Sequence, residues 1–98
     1  MPQYPIPTMN VPVSGRRLNL TAATVLKAAP GRVIKIQVLV AGSAPGSVND
    51  CLTTGAAAVA NEIASIPNAV GPVDVNAACL TGIVVVPGTG QTVVAYYN

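Results

Sequence analysis

Apolar residues recur along much of this chain with a period of two, and glycine or proline breaks the pattern about every ten residues. The clearest run is 32–40. Ile34, Ile36, Val38 and Val40 fall on one face; Val33, Lys35, Gln37 and Leu39 fall on the other. That alternation predicts a strand whose first set faces a core. Residues 82–86 are continuously apolar, as expected of a strand buried on both faces. Residues 91–97 follow across the turn Pro87-Gly88-Thr89-Gly90, so 83–86 and 92–96 are predicted to form a hairpin. Pro30-Gly31 is likewise read as a hairpin turn. Before it, Leu18, Leu20 and residues 24–28 make one broken strand. Residues 47–53 are a further candidate, and Val73 and Val75 alternate with Asp74 and Asn76 after the Gly71-Pro72 turn. Residues 56–66 admit two readings. Val59, Ile63 and Ile66 stand at i, i+4, i+7 between a capping Thr54 and a terminating Pro67, which fits a short helix. An Ala-rich loop followed by a strand at 62–66 fits equally well.

Residues 1–15 differ from the rest. Pro2, Pro5, Pro7 and Pro12 fix φ and remove backbone donors, which bars a helix and disfavours a central strand. The prediction is an extended arm whose Tyr4, Ile6, Met9, Val11 and Val13 form an apolar face suited to docking. Seven or eight short strands then make residues 16–98 a single all-β domain, an antiparallel β-sandwich or jelly roll. No internal repeat is visible.

Composition sharpens this picture. The 98 residues include 15 Ala and 16 Val, and three Tyr are the only aromatics. A hydrophobic fraction of 51% with only 8% charged residues excludes a disordered tail. Small side chains bury little area each, so such a domain is a marginal folder alone and gains from association with copies of itself or with a larger body. Arg16, Arg17, Lys27, Arg32 and Lys35 all precede Asp50, Glu62 and Asp74. Residues 1–35 therefore carry +5 and residues 36–98 carry −3. The split is read either as ordinary surface solvation or as head-to-tail attraction between neighbouring copies.

Little here supports chemistry. Histidine is absent, and the three acids lie twelve residues apart with nothing to pair them, so they are read as solvated or turn-capping groups. Gly88-Thr89-Gly90 lacks the lysine and following helix of a phosphate loop. Cys51 and Cys79 lack the spacing of a zinc or redox site. No enzyme, cofactor or metal site is expected. With no secretory signal in the first residues, free thiols are favoured over a disulfide. The net charge of +2 and the lack of a basic, aromatic groove argue against nucleic acid. The uncharged stretch 75–98 contains Pro87 and several glycines, which disfavours a membrane span.

The runs Asn19-Leu20-Thr21-Ala22-Ala23-Thr24-Val25-Leu26-Lys27-Ala28 and Pro30-Gly31-Arg32-Val33 resemble the opening of small structural proteins of tailed bacteriophages. Ala41-Gly42-Ser43, Gly46-Ser47-Val48-Asn49-Asp50, Ile63-Ala64-Ser65-Ile66-Pro67-Asn68 and Thr81-Gly82-Ile83-Val84-Val85-Val86 continue the likeness. The resemblance rests on turn and strand signatures and covers most of the chain after the arm. It implies a β-sandwich or jelly-roll subunit present in many copies on the virion, of the head decoration, cement or head-fibre type. It also implies a strand at 62–66. The resulting expectation is a capsid decoration protein, assembled in the host cytoplasm, that binds the major capsid protein and associates with itself as a dimer or trimer. Tyr4, Ile6, Met9, Val11 and Val13 would dock, and Arg16 and Arg17 would pair with acidic capsid positions. The alternative is a head-fibre or tail-associated module contacting the host surface, for which the loops 42–46, 68–71 and 87–90 are small and bland. A fimbrial subunit exchanging an N-terminal strand would need a signal peptide.

Overall fold

Short β-branched runs between glycine and proline breaks favour strands over helices. The computed structural model describes residues 15–98, in which eight strands and no α-helix form. In chain order the strands are β1 (Gly15–Leu20), β2 (Thr24–Lys27), β3 (Gly31–Val40), β4 (Gly46–Asn49), β5 (Glu62–Ile66), β6 (Gly71–Cys79), β7 (Ile83–Val86) and β8 (Thr92–Tyr97). They make two four-stranded sheets, ordered β1-β8-β3-β6 and β2-β7-β4-β5. Every pairing is antiparallel. One apolar cluster joins them, with Leu20, Val33, Ile36, Val38, Cys79, Val93 and Ala95 from the first sheet. Leu26, Val48, Ile66, Ile83 and Val85 come from the second. The architecture is all-β and sandwich-like, as the alternation predicted. The expected arm, with Tyr4, Ile6, Met9, Val11 and Val13, lies outside the described residues.

Both predicted hairpins are wrong. β2 and β3, on either side of Pro30-Gly31, belong to different sheets, and so do β7 and β8. The broken strand at 18–28 is likewise split, β1 going to one sheet and β2 to the other. Only β4 and β5 are consecutive strands paired in one sheet. The physical reason lies in burial. β7 sits between β2 and β4, and β8 between β1 and β3, so each of these apolar strands takes an interior place in its own sheet. Ile83, Val84 and Val85 are all fully buried as a result, which confirms the prediction that this run is covered on both faces.

Two-residue alternation also fails locally in β3. Ile36 and Val38 face the core as predicted, but Val33 takes the place expected of Ile34, and Val40 is 50% exposed. Against β8, Val33 pairs with Tyr97 and Lys35 with Tyr96, so Ile34 is the extra residue of a bulge that reverses which face is inward. Against β6 the extra residue is on the partner, where Lys35 pairs with Asp74 and Val33 with Ala77. Asn76 sits in that irregularity at φ 50°, and Asn19 occupies the matching one in β1 at φ 55°. Asparagine is among the few side chains that tolerate this left-handed region.

Residues 56–66 follow the loop-and-strand reading. Two 3-10 turns, Thr54–Ala56 and Val59–Asn61, lead into β5. Val59 is 87% exposed, so the apolar spacing that suggested a helix has no buried face to serve. The Asn61 side chain closes the segment instead. Its Oδ1 accepts the Ala58 N–H at 3.0 Å, and its Nδ2 donates to the Ala56 carbonyl at 2.8 Å.

Candidate interaction surface

Strands that reverse direction at each step gather their connections at two ends. Segments 21–23, 41–45, 67–70 and 87–91 lie at one end; 28–30, 50–61 and 80–82 lie at the other. The first end carries no Lys, Arg, Asp or Glu. Lys27, Arg32, Asp50 and Glu62 are at the second end. Arg16, Lys35 and Asp74 form a row across the middle of the β1 sheet, registered through Tyr96. Lys35 Nζ stands 5.1 Å from the centre of the Tyr96 ring, a cation–π contact. Cations and acids are thus mixed across the middle and the second end, so the charge split along the sequence does not produce oppositely charged ends.

The uncharged end is stitched together by main-chain and amide groups. Gln91, only 1% exposed, is the hub. Its Oε1 accepts the Gly88 N–H at 2.8 Å, and its Nε2 donates to the Pro67 carbonyl at 2.8 Å. Its own N–H donates to the Gly88 carbonyl at 3.0 Å. Ser43 N–H reaches the Thr89 carbonyl at 2.8 Å, and Gly42 N–H reaches Asn68 Oδ1 at 2.7 Å. Three of the four loops are therefore one bonded unit. Two glycines permit this closeness: a Cβ at Gly88 would run into the Ala44 carbonyl, and one at Gly42 into that of Thr89. At this end of the sheet Leu39, Val40 and Val70 are 47%, 50% and 67% exposed, with Leu39 and Val40 on opposite faces of β3. Val70 adjoins Leu39 because Gly71 pairs with Val38. Loops already fixed by such bonds lose little freedom when a partner covers them.

At the opposite end Asp50 does structural work. Its carboxylate accepts the N–H groups of Leu80 at 3.0 Å, Thr81 at 2.8 Å and Gly82 at 3.2 Å. The Leu80 bond outweighs the opposing effect of burial and, with the lesser help of the Thr81 and Gly82 bonds, holds this carboxyl below its ordinary value. This acid caps the β6–β7 connection, one of the two roles read for the three acids, and it follows β4 instead of lying within the strand expected at 47–53. Cys51 and Cys79 are free and buried. Burial, then the Asp50 charge, then Cys51 push the Cys79 thiol up to about 11.

Arg16 and Arg17 are exposed on β1, an edge strand. Neighbouring residues of a strand point to opposite faces, so the two guanidinium groups leave β1 in different directions. Arg16 is registered with outward-facing Tyr96. Arg17 is registered with Ala95, a core residue. A charge in that position discourages another strand from adding to the edge. The structure does not bring either arginine together with the docking positions expected at 4–13, which lie outside the described residues.

A cleft of about 180 Å³ opens on the outer face of the β2-β7-β4-β5 sheet. Ser47, Asn49, Ala57, Ala58, Val59, Glu62 and Val86 line it. Asn49 Nδ2 donates to Ser47 Oγ at 2.9 Å, and Glu62 is the only titratable group in the lining. Among the described residues no cluster of three or more His, Cys, Asp or Glu forms, and no helix is long and apolar enough to cross a membrane. The chain matches no protein-family model, no curated protein and no solved structure.

Sequence reasoning missed the uncharged end. Its loops looked bland one at a time, and their meaning comes from being assembled. The available signal was the absence of charge from 36–49, 63–73 and 75–98, with one amide, Gln91, between a glycine turn and an apolar strand.

Proposed function

We propose that this chain is a non-enzymatic structural subunit of a bacteriophage virion, a head decoration or cement protein that binds the shell and stiffens it. The observation that carries the reading is the pair of four-stranded antiparallel sheets in a small domain with little charge. The strand orders β1-β8-β3-β6 and β2-β7-β4-β5 fit a jelly roll, an arrangement of two Greek keys used by viral capsid domains. The phage assignment itself draws on the sequence resemblance. In this reading the partner is the major capsid protein. Tyr4, Ile6, Met9, Val11 and Val13 of the arm dock on it, with Arg16 and Arg17 pairing to acidic positions. Each contact is weak, and repetition over the lattice supplies the avidity.

Co-sedimentation of the purified chain with empty heads, assembled from the major capsid protein of the phage that encodes it, tests this. Saturable binding at a fixed ratio of chain to capsid subunit, with a raised shell melting temperature, is the expected outcome. Replacing both arginines, Arg16→Glu with Arg17→Glu, is expected to weaken binding at least tenfold. Absence of binding to heads rejects the reading, and binding to host cells instead would favour a head-fibre or tail module.

A further inference from the structure

We infer that the cleft on the outer face of the β2-β7-β4-β5 sheet is a binding site for a guanidinium group carried on an apolar stem. The inference goes beyond the virion reading and does not rest on it. It starts from a polar side chain out of its usual place. Along β4, Val48 enters the core cluster, so Ser47 and Asn49 project to the opposite, outward face. Outward amides are normally wet, yet Asn49 is only 1% exposed. The turn segment 54–61 shelters it, with Ala57, Ala58 and Val59 lining the same cleft. That wall is set beforehand. Asn61 bonds back to Ala58 and Ala56, and the Asp50 N–H donates to the Asn61 carbonyl at 2.8 Å.

The polar groups left over define the ligand. Asn49 Nδ2 is taken up by Ser47 Oγ at 2.9 Å, but no donor among the described residues reaches Asn49 Oδ1. No enclosed side-chain oxygen or nitrogen of the described residues lacks a partner, so this oxygen is open to the cleft. Glu62 on β5 is registered directly with Asn49, which sets its carboxylate beside the amide on the same face. No Lys or Arg lines the cleft to pair with it. Asn49 Oδ1 and the carboxylate can only accept hydrogen bonds, so the occupant supplies donors, and Glu62 selects a positive charge. The remaining lining is aliphatic and suits methylene groups. Ammonium and guanidinium both meet these conditions. Guanidinium is favoured because it is the more weakly hydrated, and its planar fork reaches two acceptors at once. At about 180 Å³ the cleft is smaller than the roughly 300–1,000 Å³ of drug-sized sites, which fits one side chain or one small molecule. An arginine of a partner protein and a free guanidino compound present this same group.

Nuclear magnetic resonance titration of the full chain with N-acetyl-arginine amide, n-butylammonium and uncharged N-acetyl-norleucine amide tests the assignment. The arginine probe is expected to shift the amide signals of residues 47–49 and 57–62 saturably, with a dissociation constant on the order of 1 mM. Butylammonium should bind more weakly, and the uncharged probe should give no saturable shift. Glu62→Gln should weaken binding about tenfold or more, through loss of a charge-assisted hydrogen bond. Asp74→Asn removes the same charge from the other sheet and should leave binding unchanged. Asn49→Ala, with a thermal melt to confirm folding, should weaken binding as well. No saturation by about 20 mM overturns the proposal. So do shifts centred outside the cleft, equal losses for Glu62→Gln and Asp74→Asn, or butylammonium binding as tightly as the arginine probe. Glu62→Gln in the head co-sedimentation then separates the two sources. Weakened binding to heads places the guanidinium on an arginine of the capsid protein, and unchanged binding makes the ligand a free guanidino compound. Failure of the wild-type chain to bind heads, with the titration as expected, removes only the virion reading.

Discussion

Replacing Gln91 with leucine removes the two side-chain bonds that tie the 87–91 loop to itself and to Pro67, at nearly constant side-chain volume. Gly88 is buried, so its N–H loses its partner where water cannot substitute, at a cost of about 1–3 kcal/mol. Pro67 is exposed, and solvent can reach its carbonyl, so this second loss is nearer about 0.5–1 kcal/mol. The apolar leucine recovers part of the sum, leaving a net destabilisation of about 2–3 kcal/mol. A domain of this size has about 5–15 kcal/mol in all. At about 4–8 °C per kcal/mol the midpoint should fall by roughly 10–20 °C. Urea and thermal unfolding followed by far-ultraviolet circular dichroism measure it. Gln91→Glu adds a sign test. A carboxylate here keeps the acceptor for Gly88 but sets a second oxygen against the Pro67 carbonyl, so burial raises its folded pKa above the ordinary value of about 4.3. The folded state then binds more protons than the unfolded state between those two pKa values. The variant should be closest to wild type below about pH 4 and lose stability as pH rises towards the folded pKa. A change below about 0.5 kcal/mol for Gln91→Leu, or a pH profile for Gln91→Glu parallel to wild type, would refute the claim that this amide holds the end together.

Asp50→Ala is expected to cost about 1–2 kcal/mol, because three N–H groups of the β6–β7 connection lose a charged acceptor that is partly open to solvent. Since the Asp50 pKa is lowered on folding, its contribution in the wild type is present above about pH 4 and disappears as pH falls through the folded value. Chemical unfolding between pH 2 and 7 should show wild type and Asp50→Ala converging at the acid end. Gly88→Ala should destabilise by about 3 kcal/mol or more, as the new methyl meets the Ala44 backbone, whereas Gly55→Ala, with open space around it, should lie within about 0.5 kcal/mol of wild type; paired urea titrations compare them. Cys79 should resist alkylation by iodoacetamide in the native protein at pH 8 and react when unfolded, because its thiol is buried and pushed up to about 11; rapid labelling of the native state would contradict that environment.

Strand positions were largely legible from alternation and from the glycine and proline breaks between runs, but strand partners were not. A five-residue connection such as 87–91 can fold back beside its own strand or cross to the facing sheet, and the local sequence satisfies either path. The choice was made by burial, which placed the two most apolar strands, β7 and β8, at interior positions of separate sheets. Bulges were equally hidden. Ile34 and Val33 are both β-branched and apolar, so nothing local distinguished a bulge at Ile34 from regular alternation, and the inward face was misassigned at that point. Asn19 and Asn76 carried the only hint, as residues able to enter the left-handed region. Turn-capping was among the roles open to Asp50, but its partners Leu80, Thr81 and Gly82 lie thirty residues away and were not legible. Gln91 was not, because its partners Gly88 and Pro67 come together only after the loops have assembled.

Electron cryomicroscopy of the particles formed in the native host tests the central claim most directly. The expected map shows the eight-stranded sandwich at repeated lattice positions on the outside of the head. The Gly15 end of the domain, where Arg16 and Arg17 begin β1, should lie against the shell. Heads without that density, or density confined to the tail, would contradict the account.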